Sequence, residues 1–297
     1  MINNKIRAAG NISKNHIVSI LAVLLLAVSF TRAQAFEVKF KVSGGINLFS
    51  LTMVNSVFES WQEYQIKDAE AHAQWNYLSG KMDPIHRGTD FEGEIIATFH
   101  PRFSIGFGIG YIYGDKAQEK TEFYIEKIVG TFIYVKPTVV TAVPLTLSGY
   151  FHFFPGKLFD VYIKAGTGYA WSKYVSREGY KRTDLQNFSY DDYNSATGRS
   201  LIFQGGLGIL FNLQSNLGFF IEAGGRWAKI KGFEEENKDE ETGRLYFFEE
   251  YNDELDLWQA KIQVRTELPS GDDIRNAEEA VIDFSGMAVR VGVAVRF

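Results

Sequence analysis

The sequence predicts an all-β fold, an eight-stranded antiparallel up-and-down transmembrane β-barrel with long extracellular loops. Three observations predict it. Apolar residues recur at every second position in about eight separate segments, the period at which strand side chains share a face. The opposite face of each segment carries glycine and charge, so the apolar faces are left to meet lipid and the charged ones to converge inside. The connections alternate between short turns and long loops.

The 297-residue chain begins with cations at Lys5, Arg7 and Lys14, an apolar run over 17–30, and the small-x-small stretch Ala33-Gln34-Ala35. That run is shorter than the roughly 20 residues a helix needs to cross a bilayer. Residues 1–35 are therefore expected to be a cleaved secretory signal, and 36–297 the barrel. No later apolar run is longer, which excludes a polytopic helical protein. With no cysteine in the chain, disulfides, a thiol nucleophile and a lipidated cysteine are excluded. The 28 glycines, 25 phenylalanines and 15 tyrosines suit a crowded interior and interfacial girdles.

The expected strands follow in order. The first, about 37–51, sets Val38, Phe40, Val42, Ile46 and Leu48 against Glu37, Lys39, Lys41, Ser43 and Asn47. The second, about 90–100, sets Phe91, Ile95, Ala97 and Phe99 against Glu92, Glu94, Thr98 and His100. Pro101-Arg102 is a tight turn into the third, about 103–113, where Phe103, Ile105, Phe107 and Ile109 alternate with Ser104, Gly106, Gly108 and Gly110. The fourth, about 138–154, contains Pro144, which implies a bulge or a lost ladder bond. Pro155-Gly156-Lys157 is a turn signal. The fifth, about 160–174, sets Val161, Ile163, Tyr169 and Trp171 against Lys164, Gly166 and Gly168. The sixth and seventh, about 200–213 and 217–231, flank a turn at Gln214-Ser215-Asn216. Phe219, Ile221, Ala223 and Trp227 of the seventh oppose Glu222, Gly224 and Arg226. The eighth, 287–297, sets five apolar residues against Ala288, Arg290, Gly292, Ala294 and Arg296.

Long loops are expected over 52–89, 114–137, 175–199 and 232–283. Val54, Val57, Phe58, Trp61 and Tyr64 at near-helical spacing predict a short amphipathic helix in the first loop, capping the barrel. Within the fourth loop, 245–251 and 257–265 alternate enough for a hairpin. Its first strand is short and ends in acids, which places the hairpin above the membrane; a ten-stranded barrel is the competing count.

The closing strand, ending on Phe297, resembles the last strand of bacterial outer-membrane barrels, whose terminal aromatic is read by the barrel assembly machinery. Over residues 36–297 the strand count, loop asymmetry, aromatic belts and Phe297 resemble the small outer-membrane β-barrel superfamily, with its outer membrane protein A membrane domain, opacity proteins and OmpW-like channels. The resemblance is architectural and carries over no functional residue. It implies a bacterial outer-membrane location, a usually monomeric barrel among outer-membrane lipids and lipopolysaccharide, and a role as envelope scaffold, surface-display or adhesion barrel, or narrow channel for small or hydrophobic solutes.

Residue heights counted from the turns bring Lys41, Glu94, Lys164, Glu222 and Arg290 to one level of the lumen, with Glu92 and Arg226 above and Glu37 and Arg296 at the rim. Opposite charges in so narrow a space are expected to pair, because an unpaired buried charge costs several kcal/mol. The readings are a structural plug and a gated narrow pore. Loop 233–283 holds 17 acidic residues against five basic ones, including Glu234-Glu235-Glu236, Asp239-Glu240-Glu241, Asp253, Glu254, Asp256 and Asp272-Asp273. It is expected to be solvated, with a divalent cation or an extracellular partner as the sharper alternative. The net charge of −5 with no basic stripe gives nucleic acid no footing. The resemblance also admits enzymes, since some barrels of this size act on lipid A and use a His with a nearby Ser and an acid at the lipid boundary. No His-x-Ser arrangement joins His72, His86, His100 or His152 to such partners in the sequence, so no catalytic residue, cofactor or metal site is expected. A non-enzymatic barrel displaying its loops is the favoured reading, and a narrow channel the second.

Overall fold

The computed structural model describes residues 37–114, 122–127, 130–184, 189–235 and 243–297. The expected signal over 1–35, and Glu236, Asp239, Glu240 and Glu241 of the acidic loop, lie outside the described residues.

Eight strands close into a ring. They are β1 (Glu37–Phe49), β2 (Arg87–His100), β3 (Phe103–Gly114), β4 (Thr138–Pro155), β5 (Phe159–Arg182), β6 (Ser189–Asn212), β7 (Leu217–Trp227) and β8 (Gly286–Arg296). Each pairs antiparallel with its neighbours, and β8 pairs with β1. Closure leaves no open edge in the wall and satisfies its backbone polar groups without water. The ring can be followed by register: Lys39 faces Ile96, then Gly106, Ser148, Gly166, Gln204, Arg226, Gly286 and finally Phe49. The path returns to β1 ten residues from where it left. That stagger tilts the strands, and eight tilted strands enclose a lumen that side chains fill.

The outer face is apolar, as the alternation requires. Val42, Ile46, Phe91, Ile95, Phe107, Ile109, Leu147, Leu201, Leu207, Ile221, Val289 and Val291 all lie exposed on it. Phe103 and Phe151 pack 5.2 Å apart near the turn end, and Phe203 and Trp227 5.7 Å apart near the loop end. These rings bound an apolar band as interfacial girdles do. A closed ring with an apolar outer band bounded by aromatic rings is the build of a transmembrane β-barrel, with its short turns at one end and its long loops at the other.

One local expectation is met in the second of its two forms, and two local features differ from expectation. At Pro144 the β3–β4 ladder skips Gly110 and Tyr111 and resumes in the same register, from Ile109↔Leu145 to Ile112↔Ala142. The proline removes a donor without adding a residue, so a ladder interruption replaces the bulge. First among the differences, β5 and β6 do not stop near 174 and 200. They remain paired up to Tyr180↔Ser189, with a register shift at Glu178/Gly179. Polar, tyrosine-rich segments read as loop, yet they keep a strand ladder beyond the membrane because each supplies the other's edge. Second, the helix in the first loop is not short: α1 spans Thr52–Ala71, 20 residues.

The hairpin of Arg244–Asn252 and Leu257–Arg265 is present and stands outside the ring, which settles the ring at eight strands. Strands Gly130–Val135, Glu122–Lys127 and Asn76–Gly80 extend from β5 as a flap. Helix, hairpin and flap form a head at the loop end of the barrel. Its core joins Phe58 and Trp61 of α1 to Phe233, Leu245, Ile262 and Phe284, and to the upper lumenal residues Ile112, Val140, Tyr174 and Ile202. Amphipathic α1 is thus held by burial of Val54, Val57, Phe58 and Trp61 on one face; no side chain caps its N-terminus.

Candidate functional site

The lumen is layered. Alternation on β1, β2, β5, β7 and β8 points Lys41, Asp90, Glu92, Glu94, Lys164, Glu222, Arg226 and Arg290 inward, where all are buried. Four carboxylates meet four cations. Lys41 bonds Glu222 at 3.1 Å. Lys164 bonds Glu92, and Glu94 at 3.1 Å. Arg290 reaches Asp90 at 2.8 Å, Glu92 at 3.1 Å and Glu222 at 3.4 Å. Arg226 bonds Asp90 at 2.8 Å. Glycines on the same faces make the room: a Cβ on Gly106 would strike the Glu94 carboxylate, and one on Gly208 the Tyr162 phenol.

Below this layer lies a packed apolar one of Ile96, Tyr150, Tyr162, Leu210, Phe220 and Ala294. Tyr150 donates to Glu94, and Tyr162 to Glu222 at 3.1 Å. The Lys41 ammonium lies 4.2 Å from the centre of the Phe220 ring, so aromatic faces complete its surroundings. Two cavities at these levels of the lumen are small, each about 20 Å³.

The lowest layer opens to the turn end. A cavity of about 350 Å³ is lined by Glu37, Lys39, Thr98, His100, His152, Asp160 and Arg296, among others. Arg296 does not join the buried network. It pairs with Glu37 at 3.2 Å and donates to Asn212 at 2.6 Å, forming a separate rim cluster. Beside the cavity, His152 Nδ1 meets Asp160 at 2.7 Å, and His152 Nε2 meets the Ser104 hydroxyl at 3.0 Å. Thr98 and Ser104 hydroxyls are 2.9 Å apart.

At the loop end α1 is pinned to the head by polar contacts. Asn55 and the Ile85 backbone exchange bonds of 2.7 and 3.2 Å. The Trp61 indole donates to Glu178 at 2.7 Å, and Lys136 donates to the other Glu178 oxygen at 2.8 Å. Burial of Glu178 works to raise its pKa, but Lys136 and the Trp61 N–H outweigh burial and hold the carboxyl below its usual range. The acidic loop is partly neutralised within itself: Arg244 pairs with Glu279 at 2.9 Å, Arg275 with Glu249, and Lys261 with Glu250. Among the described residues, no group of three or more histidines and carboxylates is placed to hold a metal ion.

Alternation put Lys41, Glu94, Lys164, Glu222, Arg226 and Arg290 on inward faces, and the fold brings them together. Sequence reasoning missed Asp90, the acceptor shared by both arginines, and the inward Tyr150, Tyr162 and Phe220. It also missed Ser104, His152 and Asp160 as a unit. Phe297 closes the ring's backbone pairing, its N–H donating to Val38 O at 2.9 Å.

No protein-family model matches the sequence, and no curated protein does. Among solved structures, the chain is similar to Ail, the attachment invasion locus protein of Yersinia pestis, at 11% identity and a TM-score of 0.37, covering 89% of this chain and 100% of that one. It is similar to the outer membrane protein OprG from Pseudomonas aeruginosa at 10% identity and a TM-score of 0.36, covering 88% and 95%. It is similar to the outer membrane protease OmpT from Escherichia coli at 7% identity and a TM-score of 0.36, covering 90% and 99%.

Proposed function

We propose that this outer-membrane β-barrel is a sealed platform that holds a folded head outside the cell, a surface-display or envelope-scaffold protein. The observation that carries the reading is the filled lumen: a charge-balanced ion layer rests on a packed apolar layer, and α1 covers the mouth with Phe58 and Trp61 buried beneath it. In this reading the barrel works as a monomer among outer-membrane lipids and lipopolysaccharide. The barrel assembly machinery reads Phe297, and loop 233–283 faces an extracellular partner or divalent cations.

A narrow channel is the second reading, favoured by one observation. Arg226 Nε and Nη1 and Arg290 Nε are buried without a hydrogen-bond acceptor, beside a cavity of about 20 Å³ that Lys164, Gln204 and Glu222 also line. Donors in that state suit ordered water, and a file of water is where a pore would start. Refolded protein in planar bilayers separates the readings. The platform gives a silent membrane; steady discrete openings would establish the channel instead.

A further inference from the structure

We propose that Ser104, His152 and Asp160 form a serine-hydrolase centre that opens to the periplasmic cavity and cleaves short acyl esters. The three groups stand on adjoining strands β3, β4 and β5, at the end of the barrel where tight turns join β2 to β3 and β4 to β5. Asp160 places both carboxylate oxygens on His152 Nδ1, at 2.7 and 2.9 Å. A carboxylate only accepts, so Nδ1 carries the proton and Nε2 offers its lone pair. That lone pair faces the Ser104 hydroxyl at 3.0 Å. This is the nucleophile–base–orienter geometry of acyl transfer, recognised by roles and distances and not by sequence order.

The surroundings supply the rest. Ser104 is 2% exposed, behind Thr98 and His152, and both of these line the cavity. Substrate displaces the Thr98 hydroxyl from Ser104, which frees that O–H to face the developing oxyanion. Lys39, also on the cavity wall, adds positive charge there. A smaller cavity of about 20 Å³ shares Lys39, His152 and Asp160 with the larger one and continues between Ile96, Leu210 and Phe220. Its wall there is apolar and it has room for no more than about a methyl-sized group, which favours the shortest acyl chains, and the wide polar cavity of about 350 Å³ suits the alcohol part of the ester.

The step balances without a co-reactant beyond water. Ser104 Oγ bonds the carbonyl carbon as its proton passes to His152 Nε2, and Asp160 steadies the imidazolium. The ester C–O bond breaks, and the alcohol leaves with that proton. Water, deprotonated by His152, then releases the acid and restores Ser104. A hydrogen-bonded pin at a turn would hold the same atoms but would not react.

The test is a fluorophosphonate probe with peptide mass mapping, together with hydrolysis of p-nitrophenyl acetate and octanoate by the full barrel in detergent. Folding is followed by heat-dependent gel mobility. We expect labelling at Ser104 and faster turnover of acetate than octanoate. Ser104→Ala should abolish the labelling, and Asp160→Asn should lower turnover on the order of a hundredfold or more. Folded wild type that is unlabelled at Ser104, or labelled without turnover, overturns the proposal. So does equal turnover of the two esters. Wild-type labelling decides even if a variant fails to fold. The head and the sealed lumen are independent of this centre, so its failure leaves the platform reading untouched.

Discussion

Asp90 has three donors from three other strands: Asn47 at 2.7 Å, Arg226 at 2.8 Å and Arg290 at 2.8 Å. A carboxylate so placed cancels charge on two guanidiniums that water barely reaches. Asp90→Ala leaves both arginines short of a counter-charge, and breaking a buried pair in this way costs about 3–5 kcal/mol. The urea midpoint of the heat-modifiable form should fall accordingly, and an unchanged midpoint would remove Asp90 from the network's centre. Gly208→Ala acts by space instead, pressing a methyl against the Tyr162 phenol. Overpacking of this kind costs about 1–3 kcal/mol, read by the same midpoint. The comparison explains what was legible in the sequence. Period-two alternation fixes which way a side chain points, so Lys41, Glu222 and Arg290 could be placed inside before any partner was known. It does not fix height across a staggered ring. Asp90 sits where the apolar pattern of β2 begins, and Ser104 lies 48 residues from His152. Only the register of β3 on β4 brings that pair together.

At the scale of elements, α1 shows how a loop becomes a lid. Its polar residues seal a strand edge as its apolar ones fill the head. The Ser60 hydroxyl accepts from Ala260 N at 2.7 Å, on the outer edge of strand Leu257–Arg265. Covering an edge in this way blocks pairing with another chain. Near-helical spacing announced the helix, but the apolar run ends at Tyr64, and the later turns are held by burial of Gln65 and Ala69, which that spacing did not mark. Trp61→Ala should cost about 3–5 kcal/mol of packing. Hydrogen exchange along 52–71 should rise while the barrel keeps its gel mobility; unchanged exchange would mean the helix is held by its polar pins alone. The Glu178 latch adds a pH dependence of definite sign. A carboxyl depressed in the folded head stabilises it above the ordinary glutamate pKa of about 4.3. That stabilisation is lost as pH falls through the lower folded value. Trp61 fluorescence should therefore change below about pH 4, and Glu178→Gln should abolish that step; a step that survives the substitution belongs to another group.

The whole molecule stacks three closures along one axis, and their order determines what any single change can do. The head covers the mouth with an apolar core that reaches down to Ile112, Val140, Tyr174 and Ile202. Beneath it the ion layer binds β1, β2, β5, β7 and β8 to one another across the lumen. Beneath that, Ile96, Leu210, Phe220 and Ala294 fill the cross-section with two tyrosine rings. Closures in series conduct only if all of them open. Glu222→Ala strips Lys41 and Arg290 of a partner and should destabilise the barrel by about 3–5 kcal/mol, yet the apolar layer and the head remain. Trp61→Ala loosens the head but leaves both lower layers. Planar bilayers holding either variant should therefore stay as silent as wild type, although each variant unfolds earlier in its own assay. Steady openings from Glu222→Ala alone would show the ion layer to be the sole barrier, with the apolar layer wet and the lid permeable. The gated-pore reading would then displace the platform.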